Sequence, residues 1–188
     1  MTDDARADTG KDAEPGPGLA PEDARRFRAA LGRFVTGVTI VTTLDDAGRP
    51  IGLTANSFNS VSLDPPMVLW SLARRSRNLA LFEEARHYAI NILAADQHGL
   101  SDRFARPAED RFADVDWAPG VCGMPVIAGV TAVFECRNET RVEGGDHIVF
   151  LGRVEAFEEA DRVPLIFHSG RYARPHYAVP GLASARGR

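Results

Sequence analysis

The chain has 188 residues, 44% of them hydrophobic, and a net charge of −4; this suits one compact domain with a sizeable core and offers no basic stripe for duplex nucleic acid. No apolar run approaches the ~20 residues that span a bilayer, so no membrane partner is expected. Among 22 basic residues only Lys11 is lysine, which excludes a Schiff-base lysine and a P-loop lysine from the rest of the chain.

Residues 1–20 are rich in Asp, Gly, Pro and Ala and lack aromatics; such a segment cannot bury enough surface to offset its ordering entropy and is expected to be a disordered acidic tail. Its start, Met1-Thr2-Asp3-Asp4, has no apolar core behind it, so neither a signal nor a transit peptide is expected and the cytoplasm is the expected compartment. Residues 179–188 read as a second flexible tail, leaving 21–178 as the folded unit. A helix is predicted from Pro21, with Glu22 and Asp23 at its positive end and Phe27, Leu31 and Phe34 on one face. Val35–Leu44 is β-branched and alternating, and Asp45-Asp46-Ala47-Gly48 reads as a hairpin turn into Ile51–Thr54. Further strands are predicted over 58–62, 67–72, 87–93, 131–142, 147–157 and 165–168. The turn 143–146 joins two of these. Short helices are predicted over 78–85, 96–105 and 108–112. Many strands without βα alternation argue for a mostly β fold, a closed or partly closed antiparallel barrel.

GxGxxG, HExxH and GxSxG are absent, apart from Gly16-Pro17-Gly18 in the tail with no strand before it. Cys122 and Cys136 do not form CxxC and read as two free thiols of a reducing compartment, neither marked as a nucleophile. His87, His98, His147, His168 and His176 are scattered, so a metal site would need spatial convergence, and none is predicted.

Four segments carry chemistry. Leu53–Val68 crowds Thr54, Asn56, Ser57 and other small polar residues between two strands; it reads either as a plain connecting loop or as a wall meeting the hydrogen-bonding edge of a flat heteroaromatic ring. Ser71–Leu79 places Arg74, Arg75 and Arg77 with two serines before a helix start, a solvated basic loop or an anion site for a phosphate. Gly144-Gly145-Asp146-His147 is a tight turn that delivers a histidine onto a strand, a simple hairpin or a place of close ligand approach. Ser169-Gly170-Arg171-Tyr172 offers an aromatic face and a cation, or a surface turn with a packed tyrosine.

In this order the four segments resemble the flavin reductase domain family, which includes the small reductase components of two-component flavin monooxygenases. The similarity runs from about Phe27 to Tyr172 and takes in Phe34–Thr42, Ala89–Leu93, Leu100–Ala105 and Arg111-Phe112. The resemblance implies a split β-barrel of the FMN-binding, Greek-key type, built as a homodimer with flavin near the subunit interface. It implies that Thr54, Ala55, Asn56 and Ser57 line the isoalloxazine ring and that Ser71 and Leu72 continue that wall. Ser76, Arg77 and Asn78 would hold the phosphate and ribityl part, with Phe104, Ala105 and Arg111 near the flavin tail. His147 is similar to the family's histidine on the nicotinamide side, a catalytic-site residue that orients the ring, and Tyr172 to a residue closing over the stacked rings.

The implied activity is NAD(P)H-dependent reduction of FMN or FAD, with NADH or NADPH as donor. The implied partner is a monooxygenase that receives reduced flavin by diffusion. Hydride transfer needs nicotinamide C4 within about 3–3.5 Å of flavin N5, and neither nucleophile nor metal. A pyridoxamine-phosphate oxidase-like oxidoreductase and a non-enzymatic flavin- or haem-binding protein on the same barrel are the alternative readings; Gly144–His147 and Ser169–Tyr172 favour the reductase.

Overall fold

The computed structural model describes residues 18–108 and 110–176. The expected tails lie outside the described residues except for 18–20. Helix α1 (Pro21–Leu31) is followed by strands β1 (Thr36–Gly37), β2 (Thr39–Leu44), β3 (Pro50–Ala55), β4 (Asn59–Leu63) and β5 (Pro66–Ala73). Helix α2 (Leu79–Glu84), β6 (His87–Ile92) and a 3-10 turn (Ala95–Gln97) leading into α3 (His98–Ala105) come next. The chain ends in β7 (Trp117–Pro119), β8 (Pro125–Ile127), β9 (Ala132–Gly144), β10 (His147–Glu159), β11 (Ile166–His168) and β12 (Arg171–Ala173). The fold is mostly β with few helices, and among the described residues no helix is long and apolar enough to cross a membrane.

Seven strands form one antiparallel sheet in the order β3-β2-β6-β9-β10-β5-β4, beside a three-stranded sheet β1-β11-β12 and the hairpin β7-β8. The ladder does not close, since no strand pairing among the described residues joins β3 to β4. It curls nonetheless. Ser57, just after edge strand β3, bonds to Ser71 on β5 near the other edge.

The inner face follows the period-2 pattern of the long strands. Val68, Trp70 and Leu72 of β5 are buried opposite Gly152, Phe150 and Ile148 of β10. Trp70 stacks on Phe150 at 4.7 Å between ring centroids and meets Phe82 and Tyr88 edge-on, arrangements that aromatic quadrupoles favour. A second cluster, with Ile40, Leu93, Phe104 and Ile127, packs α3 and β8 against the other side. Asn91 is fully buried there and satisfied. Its amide nitrogen donates to Ile40 O and Thr42 Oγ1, and its oxygen accepts from Ile127 N.

Several expectations shift. The predicted strand over 35–44 breaks at Val38, so that β1 pairs with β11 while β2 pairs with β3 and β6. No helix forms over 108–112 among the described residues. There the Asp110 carboxylate accepts from Phe112 N and Ala113 N, an Asx turn that competes with helix hydrogen bonding. Strands β7, β8 and β12 were not predicted, because three residues are too few to show alternation. Helix α1 forms as predicted, but buries nothing within the chain. Phe27, Leu31 and Phe34 all stand exposed.

Gly152 shows how tightly this core is packed. A Cβ there would lie 2.1 Å from the Tyr88 hydroxyl and 3.0 Å from Cys136 Cβ. Tyr88 is fully buried, and that burial pushes its phenol pKa far above the usual range. Gly152→Ala is expected to destabilise the protein by about 1–3 kcal/mol through overpacking, read as a lower midpoint in urea unfolding with an unchanged slope.

Candidate active site

A cleft of about 860 Å³ opens between β3, the end of β5, the loop after it, the end of α3 and residues 107–108 and 110–112. Its floor depends on a close approach of α3 to β3. A Cβ on Gly52 would sit 2.8 Å from the Phe104 ring, so only glycine lets the helix settle there. Thr54 Oγ1 donates to Ser101 O of α3 at 2.7 Å, tying the same two elements. Arg111 spans the cleft's edge, donating from Nη1 to Gly52 O at 2.8 Å and from Nε to Arg106 O at 2.9 Å. Burial holds its guanidinium below the usual arginine value.

The arginine loop divides its charges. Arg74 turns away from the cleft, pairing with Glu143 and donating to Gly145 O. Arg75 and Arg77 remain at the cleft with Ser76 and Asn78. The Ser76 hydroxyl accepts from Asn78 N at 3.3 Å. Helix α2 is only six residues long, so the loop's anion-binding capacity lies in its guanidinium groups. Asp110 is the one carboxylate among the described lining residues, and its Oδ1 is engaged by two backbone amides. The cleft therefore presents a net positive lining to an anion.

Eight of the fourteen predicted site residues line this cleft: Thr54, Leu72, Ser76, Arg77 and Asn78 on one side, and Phe104, Ala105 and Arg111 on the other. The remaining six lie beside it or support it. Ala55 ends β3, buried, its carbonyl accepting from Thr39 Oγ1. Asn56 is exposed and donates to Thr36 Oγ1 at 3.4 Å. Ser57 Oγ accepts from Ser71 N at 2.9 Å and donates to Ser71 O at 3.1 Å. Strand β4 pairs with β5 only as far as Asn59↔Leu69, so the Ser57 side chain stands in for the strand neighbour that Ser71 lacks.

His147 opens β10 directly opposite Ala73, the cleft residue that follows Leu72. Its Nδ1 lies 2.7 Å from Asp146 Oδ1, and this hydrogen bond from His147 holds the Asp146 carboxyl below its ordinary range. An ionised carboxylate only accepts, so the shared proton sits on Nδ1 and Nε2 is the ring nitrogen left free to meet a ligand. Tyr172 is tied to α3, donating to Asp102 Oδ1 at 2.9 Å with Ser101 Oγ also 2.9 Å away. Burial is the largest influence on its phenol and raises its pKa.

The sequence reading missed Gly52, Pro107 and Asp110 among the lining residues. An isolated glycine inside a strand was the available signal for Gly52. Neither cysteine is an activated thiol. Burial pushes Cys122 up to about 11 and Cys136 up to about 12.

Residues 31–176 match the flavin reductase like domain. The chain belongs to the flavin reductase family. It is 48% identical over 163 residues to a probable flavin reductase of Rhizobium meliloti, covering 87% of this chain and 52% of that protein. The chain thus spans about half the length of that relative. It is 47% identical to the reductase subunit Stc3 of stachydrine N-demethylase from the same organism, covering 88% of this chain and 72% of the relative. Among solved structures, the Streptomyces globisporus NADH:FAD oxidoreductase SgcE6, in complex with NAD and FAD fragments, superposes with a TM-score of 0.80 at 36% identity, covering 86% of this chain and 98% of that one.

Within this flavin reductase domain, Ser57→Ala leaves the amide and carbonyl of Ser71 without their side-chain partner. A loss of about 1–3 kcal/mol is expected, checked by chemical denaturation, with faster amide hydrogen exchange at Ser71.

Proposed function

We propose that this protein reduces FMN or FAD with NADH or NADPH and passes the reduced flavin to a monooxygenase component. The observation that carries this is the cleft itself. Arg75, Arg77 and Arg111 line it with positive charge, and Leu53, Leu72, Phe104 and Phe112 offer it apolar surface. Its volume lies in the range of small-ligand clefts, about 300–1,000 Å³, and the donor set fits a planar ring with a phosphorylated tail. Family membership and the subunit role named for the Rhizobium meliloti relative support the same reading.

Bound flavin supplies the hydride acceptor. The chain's own residues bind and orient. Arg77 and Ser76, with Asn78, hold the phosphate and ribityl part, and Arg111, Phe104 and Ala105 approach the tail. Thr54, Ala55, Asn56 and Ser57 face the ring edge, Ser57 through its backbone since its hydroxyl is engaged by Ser71, and Ser71 and Leu72 continue that wall. His147 stands at the rim, where Nε2 accepts from an amide N–H such as that of the nicotinamide carboxamide. Tyr172 closes the nicotinamide side from its anchor on α3.

The curled, unclosed sheet supports a split β-barrel with a Greek-key core in a folded unit over 21–178. The exposed apolar residues of α1, with exposed Leu63 and Phe157, support a homodimer, since large exposed apolar patches mark interaction surfaces. We place the protein in the cytoplasm.

The direct test mixes the protein with excess NADH and free FMN or FAD and follows NADH absorbance. Many turnovers per chain are expected. Tight flavin retention without turnover would sink the reading in favour of a carrier. Arg77→Ala is expected to raise the flavin Kd roughly ten- to hundredfold, the worth of a charged hydrogen bond of about 1.5–3 kcal/mol, measured by flavin fluorescence quenching. His147→Ala is expected to raise KM for NADH several times more than it raises the flavin Kd; an equal loss of both would reject its nicotinamide role.

A further inference from the structure

Away from the cleft, three side chains of metal-ligating type converge from distant parts of the chain. His87 opens β6, Cys122 lies in the loop between β7 and β8, and Glu155 is on β10. Their donor atoms all lie within 4.8 Å of one another. His87 Nε2 stands 3.2 Å from Glu155 Oε2, and Cys122 Sγ stands 3.5 Å from the same oxygen. A tetrahedral zinc with bonds of about 2.3 Å to sulfur and about 2.0–2.1 Å to nitrogen and oxygen separates its donors by about 3.3–3.6 Å. The two edges to Glu155 Oε2 match those separations, and the His87–Cys122 edge lies within 4.8 Å. None of the three residues lines the cleft.

The surroundings hold each donor in place. Glu155 sits at the register break of β10 between Val154 and Ala156, without a partner on β9; such bulges re-aim side chains. Its other oxygen, Oε1, lies 3.6 Å from Arg137 Nε, which leaves Oε2 toward His87 and Cys122. Thr43 Oγ1 donates to the His87 carbonyl at 3.0 Å. The Cys122 loop is clamped by Glu135, a buried carboxylate that accepts from Val121 N at 2.8 Å and Cys122 N at 2.7 Å. A Cβ on Gly120 would lie 2.4 Å from that carboxylate, so glycine is what lets the loop close on it. Fixed ligands supported by hydrogen-bonded neighbours are what a metal site requires.

We propose that His87 Nε2, Cys122 Sγ and Glu155 Oε2 form a binding site for a divalent zinc-class ion that links the β7–β8 loop to the main sheet. Imidazole with thiolate selects such an ion over magnesium or calcium, which take oxygen donors. Binding releases the Cys122 thiol proton to solvent. Thiolate and carboxylate then balance the ion's charge, with water in the fourth position.

The test uses the full chain, stripped with a chelator and titrated with zinc. One zinc per chain is expected, with a rise in melting temperature as zinc is added. Cobalt in place of zinc is expected to give a thiolate-to-metal charge-transfer band. Cys122→Ser should abolish that band and the zinc-dependent melting shift, and Glu155→Gln should weaken zinc binding by at least about tenfold. Both variants should melt like the zinc-free protein when no metal is present. If the protein takes up no zinc, or if Cys122→Ser binds it as tightly as the parent chain, the three residues form only a hydrogen-bonded cluster and the proposal is overturned.

Discussion

Met67–Ala73 of β5 runs antiparallel to His147–Arg153 of β10, and this register decides which side chains reach the cleft and which fill the core. Trp70 lies directly opposite Phe150, and their stacked rings fix the pairing from the inside. A slip of β5 by one residue would turn Trp70 and Leu72 to the face opposite Phe150 and Ile148, because strand side chains alternate. The aromatic stack makes that slip costly. With the register held, Ala73 meets His147, and the turn 143–146 comes down on the start of the arginine loop. Arg74 N then donates to Asp146 O, and the Arg74 side chain is consumed by Glu143 and Gly145. Core packing and site assembly are thus one event.

Buried polar groups do comparable work on the other side of the sheet. Asn91 reaches from β6 to the carbonyl of Ile40 on β2 and the amide of Ile127 on β8. Thr42 Oγ1 donates to Pro125 O at 2.6 Å. Glu135 holds the loop between β7 and β8 by two backbone amides. An unpaired polar group in such a place costs about 1–3 kcal/mol. The two-stranded hairpin, too short to be stable alone, is therefore positioned by side chains of the larger sheet. The same hairpin supplies Trp117, which packs edge-on against Phe112 of the cleft, so its placement bears on the site.

Legibility in the sequence tracked how local each signal is. Strands β9 and β10, with a tight turn between them, were readable from alternation and two glycines. Three of the four three-residue strands were not, since β7, β8 and β12 offer no period to detect. The arginine loop was readable as a cationic segment, yet nothing local separates Arg74 from Arg75 and Arg77. Only the return of the 143–146 turn distinguishes them. Ser57 looked like a ring-facing hydroxyl, and in the fold both its hydrogen-bonding roles are taken by Ser71. The predicted helix over 108–112 failed because propensity ignored the Asp110 side chain. His87, Cys122 and Glu155 stand far apart along the chain, so no ligand spacing could announce them.

The absence of lysine after Lys11 bears on how the cleft carries charge. Among the described residues, every cation lining the cleft is a guanidinium. A partly buried ammonium sheds its proton readily and needs three partners around a compact centre. Arg111 instead forks between two carbonyls, Gly52 O and Arg106 O, and its charge survives a burial that lowers its pKa because arginine starts so high. The same group therefore serves two ends. It bridges β3 to the end of α3, closing one side of the cleft, and it keeps a permanent positive charge on that wall. A site built this way holds its anion affinity across pH without depending on a titrating amine.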